Sequence, residues 1–458
     1  MFGYRIKKQY RTKVRLSCMG CLTFVVVIIT SICRCACSSC SSESKHVKDS
    51  LAEISHRVHL NDTLTNAMSE QPELQPMDSI MRRYLKRWEI NGAQLAIMRH
   101  DSLIYARGFG FVDKDKGVPM EPSHILRMAS CSKLVTAVGI MKLRDMGKIK
   151  LSDKVFGPQG ILTDTFYVNS IKDKRYYDIT VEQLLRHKAG FTNYAGDAIF
   201  STRYIMQQNR LTTPPDHRTL LRIVLRRHLG YTPGSAQRYC NIGYTLLSLI
   251  IQKRSGMSYE KFMQKYVLEP AGCYDFHIAG NYLKDRRQNE SVYYMHSSSE
   301  PAPEFNNSGR MVIRCYGEND ITTSLGAGAW VASAAEVCRL VAAIDGDPTL
   351  PDVLSPGAVK LMTTEMPDHQ FSLGWNFTPN RGPWIRTGSL VGTSAIILRY
   401  ADGECWVFIT NTSTWKGHEF SKDTMALFAK LRQKYGSKMP KRNMFVKKKN
   451  KDLTIDSL

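Results

Sequence analysis

The sequence predicts an α+β fold: one central antiparallel sheet assembled from distant segments, flanked by helices and carrying an inserted helical subdomain. Three observations predict it. Strand-like patterns stand at both ends of the body, near residues 92–113 and again beyond about 370, with helical patterns between them. No strand alternates with a crossover helix, as a parallel sheet would require. Both terminal regions also double back around a short polar turn, which is a hairpin signal.

The elements follow in order. Residues 1–40 read as a basic leader, in which Arg5, Lys7, Lys8, Arg11, Lys13, Arg15 and Arg34 stand without an acid around the apolar run LTFVVVIITSIC at 22–33. A basic segment, an apolar run and a small-residue stretch make an export signal or a signal anchor, with cleavage and retention both open. The basic flank predicts an N-terminus kept in the cytoplasm, a body delivered across, and a membrane contact through this segment. Residues 41–75 are polar, with weak helical patterning around Val47 to Val58, and read as a linker. The body, 76–435, opens with an amphipathic helix near Met77 to Trp88, then the hairpin GAQLAIMRHDSLIYARGFGFVD around His100, Asp101 and Ser102. Leu134, Val135, Val138, Met141 and Met146 recur at helical spacing until Gly147. Residues 180–270 hold helical patterns broken by turns such as Thr232-Pro233-Gly234. Strands return in FSLGWNF and in SAIILRYADGECWVFITNT, with its turn at Ala401-Asp402-Gly403, before a final helix near Lys422 to Tyr435 and a basic tail, 436–458.

A net charge of +22 suggests a nucleic-acid binder until its location is considered. Roughly +15 of it sits in the leader and the last 30 residues, so the body is only mildly basic and no nucleic-acid partner is expected. Six of the twelve cysteines lie in the first 40 residues. Cys33, Cys37 and Cys40 are candidates for lipid attachment, since CRCACSSC lacks the separated CxxC knuckles of structural zinc. The six body cysteines have no framework spacing and read as mostly free. The twelve histidines form no HExxH or comparable cluster, so neither metal nor cofactor is expected.

Chemistry points to RMASCSKLVTAVGIMKLRDMGK. Ser130 and Lys133 form SxxK, a weak motif by itself, because Ser42/Lys45, Ser258/Lys261 and Ser413/Lys416 repeat it. The first copy stands apart because it opens a strongly apolar helix, where a desolvated lysine loses proton affinity and can take a serine's proton. Ser132 either adds a hydroxyl to the same cleft or faces solvent. A leaving group also needs a proton donor, and PGSAQRYCNIGY supplies Tyr239 and Asn241 ahead of an apolar helix. Tyr167/Asn169 is a second YxN without such a helix. WIRTGSLVG gives Arg386-Thr387-Gly388-Ser389, the single Thr-Gly pair of the chain, where glycine allows close backbone approach to a ligand. His187, in LLRHKAGF, reads as a structural hydrogen-bonding group rather than a base.

SxxK, then YxN, then a basic-Thr-Gly strand is an order that resembles the serine β-lactamase and penicillin-binding protein superfamily. The flanks are most similar to its class C β-lactamase-related branch, across much of residues 90–412. The resemblance implies the β-lactamase/transpeptidase-like fold and a serine hydrolase that needs no metal. It implies that Ser130 forms an acyl-enzyme, that Lys133 and Tyr239 share the acid-base work, and that Asn241 holds a substrate amide or orients Lys133. The backbone N–H groups of Ser130 and Ser389 would make the oxyanion hole, with Arg386 and Thr387 on the opposite wall. Where Arg386 stands the family usually has lysine or histidine; arginine would clamp a substrate carboxylate but not transfer protons near neutral pH. The expected substrate is a small-molecule or peptide ester, D-amino-acid peptide or β-lactam, cell-wall fragments included, met in a periplasmic or other extracytoplasmic compartment. The alternative, motivated by Arg386, is a catalytically impaired, membrane-tethered module that binds cell-wall peptides or a protein partner.

Overall fold

The computed structural model describes residues 59–193, 196–367 and 370–446. The leader, the candidate lipidation cysteines, Ser42/Lys45, the weak helical patterning at 47–58 and the end of the basic tail lie outside the described residues. A six-stranded antiparallel sheet organises the body. Its strands are β1 (Gly92–Arg99), β2 (Ser102–Asp113), β3 (Val118–Pro119), β4 (Trp384–Leu390), β5 (Thr393–Arg399) and β6 (Glu404–Thr410), in the spatial order β3-β2-β1-β6-β5-β4. The two ends of the body meet where β1 pairs with β6, Ala93 opposite Thr410 and Arg99 opposite Glu404. Both hairpins fall where the sequence places them. His100 and Asp101 take positive φ (43° and 53°), which is the conformation a tight two-residue turn needs to match the strand twist.

Both faces of the sheet are buried, so its central strands read as nearly continuous apolar runs. Leu95, Ile97, Ile396, Leu398, Trp406 and Phe408 pack against α1 (Gln75–Arg87) and the C-terminal helix α5 (Phe420–Tyr435). Ala96, Met98, Ala395, Ile397, Val407 and Ile409 face the larger core, which holds α2 (Ser132–Asp145), α3 (Asn241–Ser255) and α4 (Ala334–Ala342). This is the helix-sheet-helix layering expected for the class. Residues between α2 and α4 supply the inserted helical matter. Gly147 ends the α2 pattern at φ 69°.

Three expectations need correction. FSLGWNF is a loop that meets the sheet edge at an isolated bridge between Phe377 and Ile385 rather than as a strand. Gly374 at φ 86° turns that chain so that Leu373 and Trp375 bury against the core, which supplies the apolar contacts that a strand pattern would otherwise explain. The linker ends before residue 75, because Leu60, Leu64 and Leu74 are buried and Ser69 Oγ donates to Ala106 O on β2. The tail also starts later than 436: Met439, Met444 and Phe445 are buried, and Met444 N donates to Leu103 O. Among the described residues, no helix is long and apolar enough to cross a membrane.

Candidate active site

The site forms where the N-terminal turn of α2 meets the free edge of β4. Ser130 lies in a 3-10 turn, Ala129–Cys131, that runs into α2, and Ala129 is held at φ 47°. A non-glycine residue in that region persists only when its surroundings enforce it. The enforcing neighbour is β4. A Cβ placed on Gly388 would come within 2.4 Å of Met128 O and 2.9 Å of Ser130 N, so only glycine lets the strand pass this close to the nucleophile turn. Ser130 Oγ makes no capping bond. It lies 2.6 Å from Tyr239 Oη and 3.1 Å from Lys133 Nζ, accepting from each.

Lys133, one helical turn beyond Ser130, is fully buried. Its ammonium also donates to Asn241 Oδ1 at 2.6 Å and to Ala327 O at 2.6 Å, so every proton has an acceptor. Burial pulls its pKa below the usual lysine value; the Tyr239 and Asp197 charges oppose this and Arg386 reinforces it. Tyr239 shows the converse. Burial raises its pKa, but the Lys133 and Arg386 cations outweigh that, and the net shift is downward. Both groups therefore hold their protons less tightly than in water, and each is among the charges that shift the other.

Asn241 begins α3 and orients Lys133 through its carbonyl oxygen. Its amide nitrogen is held by Asp197 Oδ2 at 2.8 Å, which fixes which end of the side chain faces the lysine. Asp197 carries no motif signal in the sequence, because it reaches the site only through the fold of the loop after Phe191. Asn376 was missed for the same reason: it sits in the segment expected as a strand, and its Oδ1 accepts from Thr387 N at 3.1 Å. That bond shows that Thr387 N–H points away from β5. By the two-residue alternation of an antiparallel strand, Ser389 N–H faces the same free edge, and Ser389 lines the cavity together with Ser130. Ser130 N and Ser389 N are therefore the donors available to a developing oxyanion.

Arg386 departs from expectation. Its guanidinium does not stand on the cleft wall as a carboxylate clamp; it is buried under the nucleophile, with Nε 2.8 Å and Nη2 2.6 Å from Ser130 O. Strand alternation explains this, because Arg386 and Gly388 share the core-facing side of β4 while Thr387 and Ser389 face the other. Ser132 neither lines the cleft nor meets solvent: its buried Oγ accepts from Trp330 N. His187 Nδ1 accepts from Cys240 N at 3.2 Å, and burial with the Lys133 and Arg386 charges holds it neutral, so it supports the Tyr239 ring rather than touching Ser130. Burial pushes the Cys131 and Cys240 thiols up to about 12, which removes them as nucleophiles. Two further copies among the described residues have other surroundings. Ser413 Oγ accepts from Gly392 N, Lys416 pairs with Asp423, and the Tyr167 ring lies near Arg218. Among the described residues no group of three or more histidine, cysteine or acidic side chains could hold a metal ion.

A cavity of about 280 Å3 opens at Ser130 between Tyr239, Asn376, Thr387 and Ser389, and extends outward to His418 and Ser421. A second arm, with about 10 Å3 of free space, leaves Ser130 on the side of Asn241, Phe200 and Leu390.

Comparison with known proteins agrees with this geometry. The family described as Beta-lactamase matches residues 77–430. Penicillin-binding protein 4* of Bacillus subtilis (strain 168) is 25% identical over 328 residues, covering 69% of this chain and 67% of that protein. Protein flp of Staphylococcus aureus (strain N315) is 27% identical over 246 residues, covering 53% of this chain and 45% of that protein, so the match spans less than half of that relative. Among solved structures, D-amino acid amidase from Ochrobactrum anthropi SV3, complexed with L-phenylalanine amide, superposes with a TM-score of 0.61 at 17% identity, covering 80% of this chain and 99% of that one. At that identity the likeness speaks for the fold. A family match over most of the body, ending past β6, together with a serine held between a buried lysine and a tyrosine, means that the chain belongs to the Beta-lactamase family, within the serine β-lactamase and penicillin-binding protein superfamily of serine hydrolases.

Proposed function

We propose that this protein is an exported serine hydrolase or acyltransferase of the class C-related branch. It forms an acyl-enzyme on Ser130 and acts on an ester, a D-amino-acid peptide or a β-lactam amide. The observation that carries the reading is the position of Ser130 Oγ, within bonding distance of both Lys133 Nζ and Tyr239 Oη. In acylation the Ser130 proton passes to the lysine-tyrosine pair as Oγ bonds to the carbonyl carbon. The carbonyl oxygen takes the negative charge against Ser130 N and Ser389 N. Tyr239 then returns a proton to the leaving oxygen or nitrogen as its bond to the acyl carbon breaks. Water, or another alcohol or amine, reverses the sequence and frees Ser130. The similarity to a penicillin-binding protein and, in fold, to a D-amino acid amidase supports amide and peptide substrates. Export rests on the leader pattern. The catalytic reading is preferred to the binding module because Arg386 Nε and Nη2 are engaged by Ser130 O, under the nucleophile, while Nη1 is buried with no partner.

The test is a fluorophosphonate probe on the full chain, read as intact mass beside Ser130→Ala. One adduct on the wild type, absent from the variant, is the expected result. An adduct that persists in Ser130→Ala, or a folded wild type that takes none, overturns the assignment.

A further inference from the structure

The two arms of the cleft differ in size, and the chemistry says which is which. Tyr239 returns the proton to the leaving group, so the arm it lines, about 280 Å3, is the leaving-group side. The arm beside Asn241 receives the acyl chain, and its free space of about 10 Å3 has room for little more than one water molecule. Phe200 closes it. The same residue, 42% exposed, also lines an outer cavity of about 320 Å3, together with Tyr204, Gln207 and Pro303. The side chain therefore stands between a nearly filled pocket and a larger, open one.

The Phe200 backbone is held in place from below. Phe200 N donates to Asp197 O at 3.0 Å, Ile199 N donates to Asp197 Oδ1 at 3.0 Å, and Ile199 is fully buried. Asp197 is in turn tied to Asn241, so the loop carrying Phe200 is fastened to the residue that orients Lys133. A long acyl chain would have to turn this side chain aside, because the backbone that carries it is anchored.

We infer that Phe200 sets the acyl specificity of this enzyme: it transfers short acyl groups from bulky leaving groups, and removing the ring joins the acyl arm to the outer cavity and admits long chains. The inference rests on the catalytic reading of Ser130. It concerns the size of the group left on that serine and not whether the serine is activated.

The experiment uses the full chain with p-nitrophenyl acetate, butyrate and octanoate, which hold the leaving group constant. Acylation is followed by p-nitrophenol release and by the mass of the acyl-enzyme, beside the fluorophosphonate labelling. In the wild type kcat/KM should fall about tenfold or more from acetate to octanoate. In Phe200→Ala the octanoate-to-acetate ratio should rise by about tenfold or more, and Phe200→Tyr should keep the wild-type order. Ser130 labelling without acylation by the acetate ester, equal rates along the series, or an unchanged ratio in Phe200→Ala each overturns the inference and leaves the catalytic reading standing. No labelling and no ester turnover by the folded wild type overturns both.

Discussion

Ser130, Lys133 and Tyr239 were legible as residue types because their neighbours in sequence mark them: an apolar helix follows each motif. Asp197 was not legible, since its role comes from where a loop returns and not from what stands beside it. It acts on Lys133 through Asn241, as a positioning residue. Asp197→Ala frees the Asn241 amide to rotate and should lower kcat/KM by about tenfold or more, the scale of one hydrogen bond to a charged group. Asp197→Asn separates charge from shape. The Asp197 charge raises the Lys133 pKa against its burial, so removing it lowers that pKa further. In the proposed mechanism the base form of the lysine is the active one, so kcat/KM rises with pH through the lysine pKa, and the rising limb should move to lower pH in Asp197→Asn. A pH profile that is merely scaled down, with its limb unmoved, would assign Asp197 a structural role alone. Arg386 teaches the complementary lesson. Its charge was visible in the sequence, but which face of β4 carries it depends on register, and register placed it under the Ser130 carbonyl.

At the scale of elements, the hairpins and the helices α1, α2 and α5 follow from periodicity and turn residues, because each satisfies its backbone locally. FSLGWNF failed because a short apolar run buries equally well as a loop once Gly374 lets the chain turn. The helix α4 adds a buried charge that no pattern announced. Ser333 caps its first turn, and within that turn Glu336 Oε1 accepts from Tyr274 N at 2.7 Å and Asp275 N at 3.1 Å. Burial raises the Glu336 pKa to about 7, with the Asp275 charge adding and the two N–H bonds opposing. Its folded pKa lies above the unfolded carboxylate value. Its contribution to stability is therefore fully present below about 4.5 and is lost as pH rises through about 7. Each unit of that shift is worth about 1.4 kcal/mol. Melting at pH 5 and pH 8 should show the wild type losing more stability than Glu336→Gln. An equal pH 5 to pH 8 difference in the two proteins would remove Glu336 as a source of that dependence.

For the whole molecule, the N-terminal boundary of the folded body is the feature most open to test. Residues 59–75 run over β2, where Asn66 Oδ1 accepts from Gly108 N and its Nδ2 donates to Met120 O. Leu60, Leu64 and Leu74 are buried there, each worth about 1.5–3 kcal/mol relative to exposure. A chain beginning at residue 76 should therefore melt several degrees below one beginning at 59, in thermal unfolding followed by circular dichroism. Equal melting temperatures would return 59–75 to the linker. The sequence by itself determined the α+β class, both hairpins, the main helices and the order of the three motifs, because these depend on neighbours a few residues apart. Tertiary structure alone decided the burial of Arg386, the recruitment of Asp197 and Asn376, and the packing of Leu60, Leu74 and Phe445 onto the body. The Arg386–Ser130 and Asp197–Asn241 contacts join segments 256 and 44 residues apart, and the Asn376–Thr387 bond crosses a turn of 11 residues; no local periodicity encodes any of them.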